Sequence, residues 1–295
     1  MSERIALIGA GAMGCAIGTR LLETGNHLNV FDLDAEKVAH LVALGAVGAG
    51  SAAQACKDVD FVITSLNASQ IVERAAFGPD GICEGAAKGT VIIDMSSIEP
   101  DATRRFSEMA VEKGLAWVDS PLSGGAPKAL IGELTLMAGG EAADVARAHI
   151  ALRHVASNYT HMGPSGAGQT TKLINQVLCG LGFLAVAEAT QLALDAGVDA
   201  AKIPQALKGG RADSALLQEY LPRFVEKDYR RTGRIDNMVK DLNAVNDLAR
   251  QTGTSMPMTA LCGEIHRMLT AAGLGGEDQA AVMEFFNGAK QEFET

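Results

Sequence analysis

Short apolar runs alternate with helix-period patterns through the first half of the chain. Strand-like runs fall at 4–8, 27–31, 61–64, 91–94, 116–118 and 134–138. Amphipathic stretches lie between them, at 13–24, 35–44, 68–75 and 102–113. The first stretch stops at Gly25, a residue suited to ending a helix. Strands alternating with helices need crossover connections. They predict an α/β fold with a largely parallel sheet.

The pattern changes at Gly163-Pro164-Ser165-Gly166. Beyond it nearly everything reads as helix, over about 168–196, 201–208, 214–226, 235–252, 258–272 and 278–287. The expected organisation is an α/β domain over 1–162 and an all-α domain over 163–295. The long helix is apolar around most of its circumference over 173–193, which predicts burial in a core or at a subunit interface. A homodimer or homotetramer is therefore expected. The most apolar stretch, 177–187, ends at Glu188, short of the roughly 20 residues that span a bilayer. No membrane span is expected. Met1-Ser2-Glu3-Arg4 leads straight into a strand, so no secretory signal is expected either.

Composition narrows the function. Of 295 residues, 47% are hydrophobic and 20% charged, enough apolar matter for a packed core. A net charge of −10 argues against a general nucleic-acid binder, which needs a basic face. The five cysteines (Cys15, Cys56, Cys83, Cys179, Cys262) form no CxxC, which fits a reducing cytoplasm. The six histidines form neither HxH nor HExxH, and no metal site is predicted.

Gly9-Ala10-Gly11-Ala12-Met13-Gly14 is a GxGxxG placed after a strand and before a helix. Gly9 is expected to make the tight turn, Gly11 to admit a pyrophosphate, and Gly14 to let helix and strand pack closely. The helix N-terminus at Ala12 and Met13 offers N–H groups to phosphate. Asp32, 23 positions after Gly9, ends the second strand; a carboxylate there accepts ribose hydroxyls and repels a 2′-phosphate. NAD is therefore expected ahead of NADP. Asp34 is the better candidate for capping the next helix.

Three later stretches carry polar chemistry. Asp119-Ser120-Pro121-Leu122-Ser123-Gly124-Gly125 is a glycine-rich loop whose N–H groups and hydroxyl suit a carboxylate. Lys172 and Asn175 lie three apart on one helix. Lys240-Asp241-Leu242 sits in a later helix.

Taken together, GxGxMG at 9–14, DxPxSGG at 119–125, the run Gly163, Gly166, Gly168, Lys172 with Asn175, and KDL at 240–242 resemble the β-hydroxyacid dehydrogenase family. That family includes 3-hydroxyisobutyrate dehydrogenase and tartronate semialdehyde (2-hydroxy-3-oxopropionate) reductase. The resemblance covers nearly the whole chain. It implies an N-terminal Rossmann domain with a doubly wound parallel sheet, a helical second domain, and hydride transfer between a nicotinamide cofactor and a small 3-hydroxy acid or its semialdehyde. It assigns proton transfer to Lys172. An ordinary lysine, with a pKa of about 10.4, is a poor base at neutral pH. Burial beside a positive oxidised nicotinamide would disfavour its charged form. The resemblance further assigns the substrate carboxylate to Ser123, Gly124 and Gly125, the nicotinamide surroundings to Leu66 and Ser96, and a cofactor or substrate contact to Lys240. Family members commonly carry Asn four residues after the lysine; here Gln176 holds that place and Asn175 precedes it, so both are substrate-binding candidates. Ser65-Leu66-Asn67 stands where many members have Leu-Pro.

Tartronate semialdehyde is the first-choice substrate, with 3-hydroxyisobutyrate, 4-hydroxybutyrate and threonate as alternatives. A non-catalytic dinucleotide-binding module is the alternative of another class, and the retained Lys172 argues against it.

Overall fold

The computed structural model describes residues 2–287. The chain folds as two compact units that meet in sequence between Lys172 and Leu173.

The strands of the first unit are β1 (Arg4–Ile8), β2 (His27–Phe31), β3 (Val47–Gly48), β4 (Phe61–Thr64), β5 (Val91–Asp94), β6 (Ala116–Asp119), β7 (Leu122–Ser123), β8 (Leu134–Gly139) and β9 (Ala156–Gly163). Its helices are α1 (Ala12–Glu23), α2 (Ala35–Ala43), α3 (Ala52–Ala55), α4 (Ser69–Phe77), α5 (Ile82–Gly85), α6 (Pro100–Glu112), α7 (Gly125–Leu130) and α8 (Ala142–Leu152). The strands form one sheet in the order β3-β2-β1-β4-β5-β6-β8-β7, with β9 on β8. All pairs from β3 to β6 are parallel; β8 runs antiparallel to β6 and β7, while β9 pairs with β8 in parallel.

The period of two sorts the strand residues between two cores. Ile5, Leu7, Phe61, Ile63, Val91 and Ile93 face the layer containing Ile17 and Leu21 of α1 and Leu152 of α8. Ala6, Ile8, Val62 and Ile92 face the layer containing Val72 of α4 and Phe106 of α6. Both faces are covered, which is why these strands read as continuous apolar runs.

The sequence pattern did not show β3, β7, β9, α3, α5, α7 or α8. β9 is mostly exposed and lacks a regular apolar alternation, so only pairing with β8 makes it a strand. α8 is alanine-rich and offers little contrast between its buried and exposed sides.

The helix α9 (Ala167–Asp195) begins in the first unit and runs into the second, followed by α10 (Ile203–Leu207), α11 (Ala215–Glu226), α12 (Ile235–Thr252), α13 (Pro257–Leu269) and α14 (Met283–Asn287). The second core packs Phe183, Val186 and Ala187 of α9 against Leu221 and Phe224 of α11, Ile235 and Leu242 of α12, and Cys262 and Leu269 of α13. By length and composition alone α9 is apolar enough to cross a bilayer. It instead gives one side to this core, while Ile174, Leu178 and Leu192 stay exposed. The stretch 278–287 is not one continuous α-helix. Asp278 caps a 3₁₀ turn, Gln279–Val282, and α14 follows it.

Candidate active site

The chain reverses its winding direction between β1 and β4, where parallel α/β sheets bind ligands at the carboxyl ends of their strands. The turn after β1 is the glycine motif. Gly9 has φ +98°, and a Cβ there would lie 2.5 Å from the Ser65 carbonyl oxygen. At Gly14 a Cβ would lie 2.0 Å from the Gly9 carbonyl oxygen, so helix and turn touch backbone to backbone. Gly11 differs, because no atom lies within 4 Å of where its Cβ would stand. It precedes α1 and supplies no side-chain cap. The space beside Gly11 is open, and the first-turn N–H groups of Ala12 and Met13 are free to meet a pyrophosphate there. A dinucleotide fits this turn.

Asp32 links the turn to β2. Its carboxylate accepts the Ala10 N–H at 2.7 Å and the Asp34 N–H at 2.9 Å. Asp34 caps α2 by accepting the Glu36 N–H. Leu33, between them in sequence, is exposed.

Polar residues end three otherwise apolar strands. Thr64, Asp94 and Asp119 lie side by side on β4, β5 and β6. The Thr64 hydroxyl donates to Asp94 Oδ1 at 2.7 Å, and the Ser96 N–H donates to the same oxygen at 3.0 Å. Asp94 Oδ2 is buried with no hydrogen-bond partner among the described residues. Burial pushes the Asp94 carboxyl up to about 6, against the opposing hydrogen bonds and with help from the charge of Asp119. The Ser96 hydroxyl accepts the Leu66 N–H at 3.0 Å, and its side chain is buried. Ser96 thus fixes the loop that carries Leu66.

Asp119 anchors the start of α9. Its two oxygens accept the N–H groups of Gly166 (2.8 Å) and Gln169 (2.9 Å), satisfying donors that a helix N-terminus leaves orphaned. Burial raises its pKa, and these backbone hydrogen bonds oppose the rise. The approach is close enough that a Cβ on Gly168 would stand 2.3 Å from the Met137 carbonyl oxygen. Gln169 is buried and bridges to the segment after β5. Its Oε1 accepts the Ile98 N–H at 3.2 Å and its Nε2 donates to the Ser96 carbonyl at 2.8 Å. Lys172, half-buried, lies one helical turn further along α9.

Ser123 ends β7, opposite Thr135 of β8. Gly124 (φ +119°) and Gly125 (φ +71°) turn the chain into α7. In the second unit, Asn175 Nδ2 donates to Gln176 Oε1 at 2.9 Å, and Gln176 Nε2 donates to Asp241 Oδ2 at 2.6 Å. Lys240 Nζ lies 3.5 Å from Asp241 Oδ1. Asn175, Gln176, Asp241 and Lys240 are therefore joined in one chain of contacts.

The sequence motifs include Asp119, at the head of DxPxSGG, without assigning it a role, and they do not single out Asp94 or Gln169. The signal was an acid closing an apolar strand, in Ile93-Asp94 and Val118-Asp119.

The fold and the glycine turn define a nicotinamide-dinucleotide oxidoreductase. Residues 4–163 match the family model described as the NAD binding domain of 6-phosphogluconate dehydrogenase. Residues 166–286 match the NAD-binding domain of NADP-dependent 3-hydroxyisobutyrate dehydrogenase. The chain is 35% identical to the NAD-dependent L-serine dehydrogenase of Pseudomonas aeruginosa over 97% of this chain and 98% of that one. It is 32% identical to the L-threonate dehydrogenase of Cupriavidus necator, covering 98% and 97% of the two chains. The crystal structure of 3-hydroxyisobutyrate dehydrogenase from Salmonella typhimurium superposes with a TM-score of 0.86 at 30% identity, over 96% of this chain and 99% of that one. The chain belongs to the β-hydroxyacid dehydrogenase family and is an NAD(P)-dependent dehydrogenase or reductase of hydroxy acids.

Proposed function

We propose that the protein interconverts a small 3-hydroxy acid and its semialdehyde, with tartronate semialdehyde as first-choice substrate and NAD as the preferred cofactor. The observation that carries the reading is Lys172, one turn along α9 from the first turn that Asp119 and Gln169 bind to the strand ends of the dinucleotide-binding sheet. When bound, the dinucleotide accepts or returns the hydride. Lys172 Nζ takes the proton of the substrate hydroxyl during oxidation and returns it during reduction. Ser123 and the N–H groups of Gly124 and Gly125 hold the substrate carboxylate. Leu66, held by Ser96, lines the nicotinamide side of the turn. In the second unit Asn175 and Gln176 are the candidates for orienting a substrate oxygen, and Lys240 for a cofactor or substrate contact.

L-serine and 3-hydroxyisobutyrate, the substrates in the names of two relatives, each carry a carboxylate and a primary hydroxyl on carbon 3, whose oxidation gives a semialdehyde. L-threonate shares the carboxylate, but its hydroxyls on carbons 2 and 3 are secondary and give a ketone. The shared carboxylate and nearby hydroxyl support a hydroxy-acid substrate, and the semialdehyde product follows the primary alcohols. The Asp32 carboxylate supports NAD, because a 2′-phosphate beside it meets like charge. A cytoplasmic homo-oligomer completes the reading, with the exposed apolar residues of α9 as its support.

The experiment is nicotinamide absorbance with a panel of 3-hydroxy acids and semialdehydes, run with NAD and NADP on wild type and Lys172→Ala. A hit removed by Lys172→Ala is expected. NADP preference would overturn the reading of Asp32. Silence across the panel with cofactor still bound would favour a non-catalytic dinucleotide-binding module.

A further inference from the structure

We infer that Gln169 is a positioning residue for Lys172, fixing that lysine against the nicotinamide end of the site by bridging the first turn of α9 to the segment 96–98. The inference rests on the reading of Lys172 as the proton-transferring group. Both ends of the Gln169 amide are used. Oε1 accepts from Ile98, and Nε2 donates to the Ser96 carbonyl. Its own N–H is held by Asp119. Ser96 in turn holds the Leu66 N–H through its hydroxyl and the Asp94 carboxylate through its N–H. One buried side chain therefore joins the helix bearing Lys172 to the loops that follow β4 and β5.

Asp119 and Gly168 also seat the helix start on β6 and β8, so the Gln169 side chain is not its only anchor. What it adds is the placement of the helix relative to the 65–67 and 96–98 loops. An amide suits the position. A shorter side chain cannot span both partners, and an apolar one leaves the Ile98 N–H and Ser96 carbonyl without a partner. Misplacing a reacting group by about 1 Å can cost about 10²-fold in rate, so a bridge of this kind acts on turnover more than on binding.

The test compares wild type, Gln169→Leu, Gln169→Glu, Lys172→Ala and the two double variants. It uses single-turnover rates with saturating dinucleotide and the substrate found in the panel. Gln169→Glu keeps the acceptor for Ile98 and donates to the Ser96 carbonyl only while its carboxyl is protonated, so in its ionised form it serves if Gln169→Leu does not fold. The expected result is a 10- to 100-fold fall in the hydride-transfer rate per folded site, with dinucleotide affinity changed less than about threefold. The pH profile limb that disappears in Lys172→Ala should also move. On the Lys172→Ala background the Gln169 substitutions should cost less than about twofold. Rates that fall only with the folded fraction, or effects that multiply in the double variants, would overturn the positioning role. Full activity in Lys172→Ala alone would instead overturn the reading of Lys172, and the inference with it.

Discussion

The carboxylate of Asp119, at the end of β6, accepts the main-chain N–H of Gln169 at 2.9 Å across 50 residues of sequence. A second N–H, from Gly166, reaches its other oxygen. A sheet residue thus caps the longest helix among the described residues, alongside the Pro164 carbonyl, which accepts the Ala167 N–H at 2.9 Å. Replacing Asp119 by Ala should leave two buried donors unpaired and cost about 2–6 kcal/mol, at about 1–3 kcal/mol for each group. Asp119→Asn should cost less, because one oxygen still accepts. Urea unfolding of the three proteins measures the order.

Gly11 and Gly14 predict opposite behaviour from the same substitution. A methyl on Gly11 meets nothing within 4 Å, so Gly11→Ala should fold within about 1 kcal/mol of wild type. It should nevertheless weaken dinucleotide binding at least about tenfold, since the methyl occupies the space the pyrophosphate needs. Gly14→Ala puts a Cβ 2.0 Å from the Gly9 carbonyl and should lower stability by several kcal/mol, on the order of 3. Thermal unfolding paired with a fluorescence titration of reduced dinucleotide separates the two outcomes.

Asp94 gives the stability a pH dependence of stated sign. Its carboxyl is raised from 3.8 to about 6 in the folded protein, chiefly by burial. The folded state therefore holds the proton more tightly than the unfolded chain. The contribution is full below pH about 4 and is lost as pH rises through about 6. At about 1.36 kcal/mol per pKa unit the loss is about 3 kcal/mol. Asp94→Asn does not titrate. Its unfolding free energy minus that of wild type should grow between about pH 4 and 7 and stay level above. A flat difference across that range would show that Asp94 is not raised.

The second unit carries its own buried ion pair. Arg223 Nη2 lies 2.9 Å from Asp278 Oδ1, and Asp278 is fully buried. Asp278 also accepts the Gly233 N–H, the Thr232 hydroxyl and the Ala280 N–H. Asp278→Ala leaves Arg223 with only its longer ion pair, to Asp228 at 3.7 Å, leaves the Gly233 and Ala280 N–H groups unpaired, and should cost about 3–5 kcal/mol. Guanidinium unfolding tests the size. A loss under about 1 kcal/mol would mean that the pair does not organise this unit.

Much of the site can be read from local order. Gly9, Gly11, Gly14 and Asp32 are spaced by the geometry of one strand, one turn and one helix, so a single sequence displays them. The same is true of Asp34, which caps α2 as its neighbours predict. Asp94, Asp119 and Gln169 are different. Apart from the Ser96 N–H two residues from Asp94, their partners lie 30 to 73 residues away, and nothing near them in sequence marks those partners.

The sequence by itself determined the alternation of strands and helices, the change to helix after Gly163, the dinucleotide turn and the family motifs. These follow from periods of 2 and 3.6 and from backbone conformations that only glycine adopts freely. Tertiary structure alone decided that β9 is a strand, since its polar residues become ordered only by pairing with β8. It also decided that Ser96 holds a loop rather than standing open to solvent, that Gln176 is tied to Asp241, and that the turn before Lys172 is clamped to the strand ends. The reason is physical. A buried hydrogen bond pairs whichever donor and acceptor the packed core brings within about 3 Å, and distance along the chain does not enter.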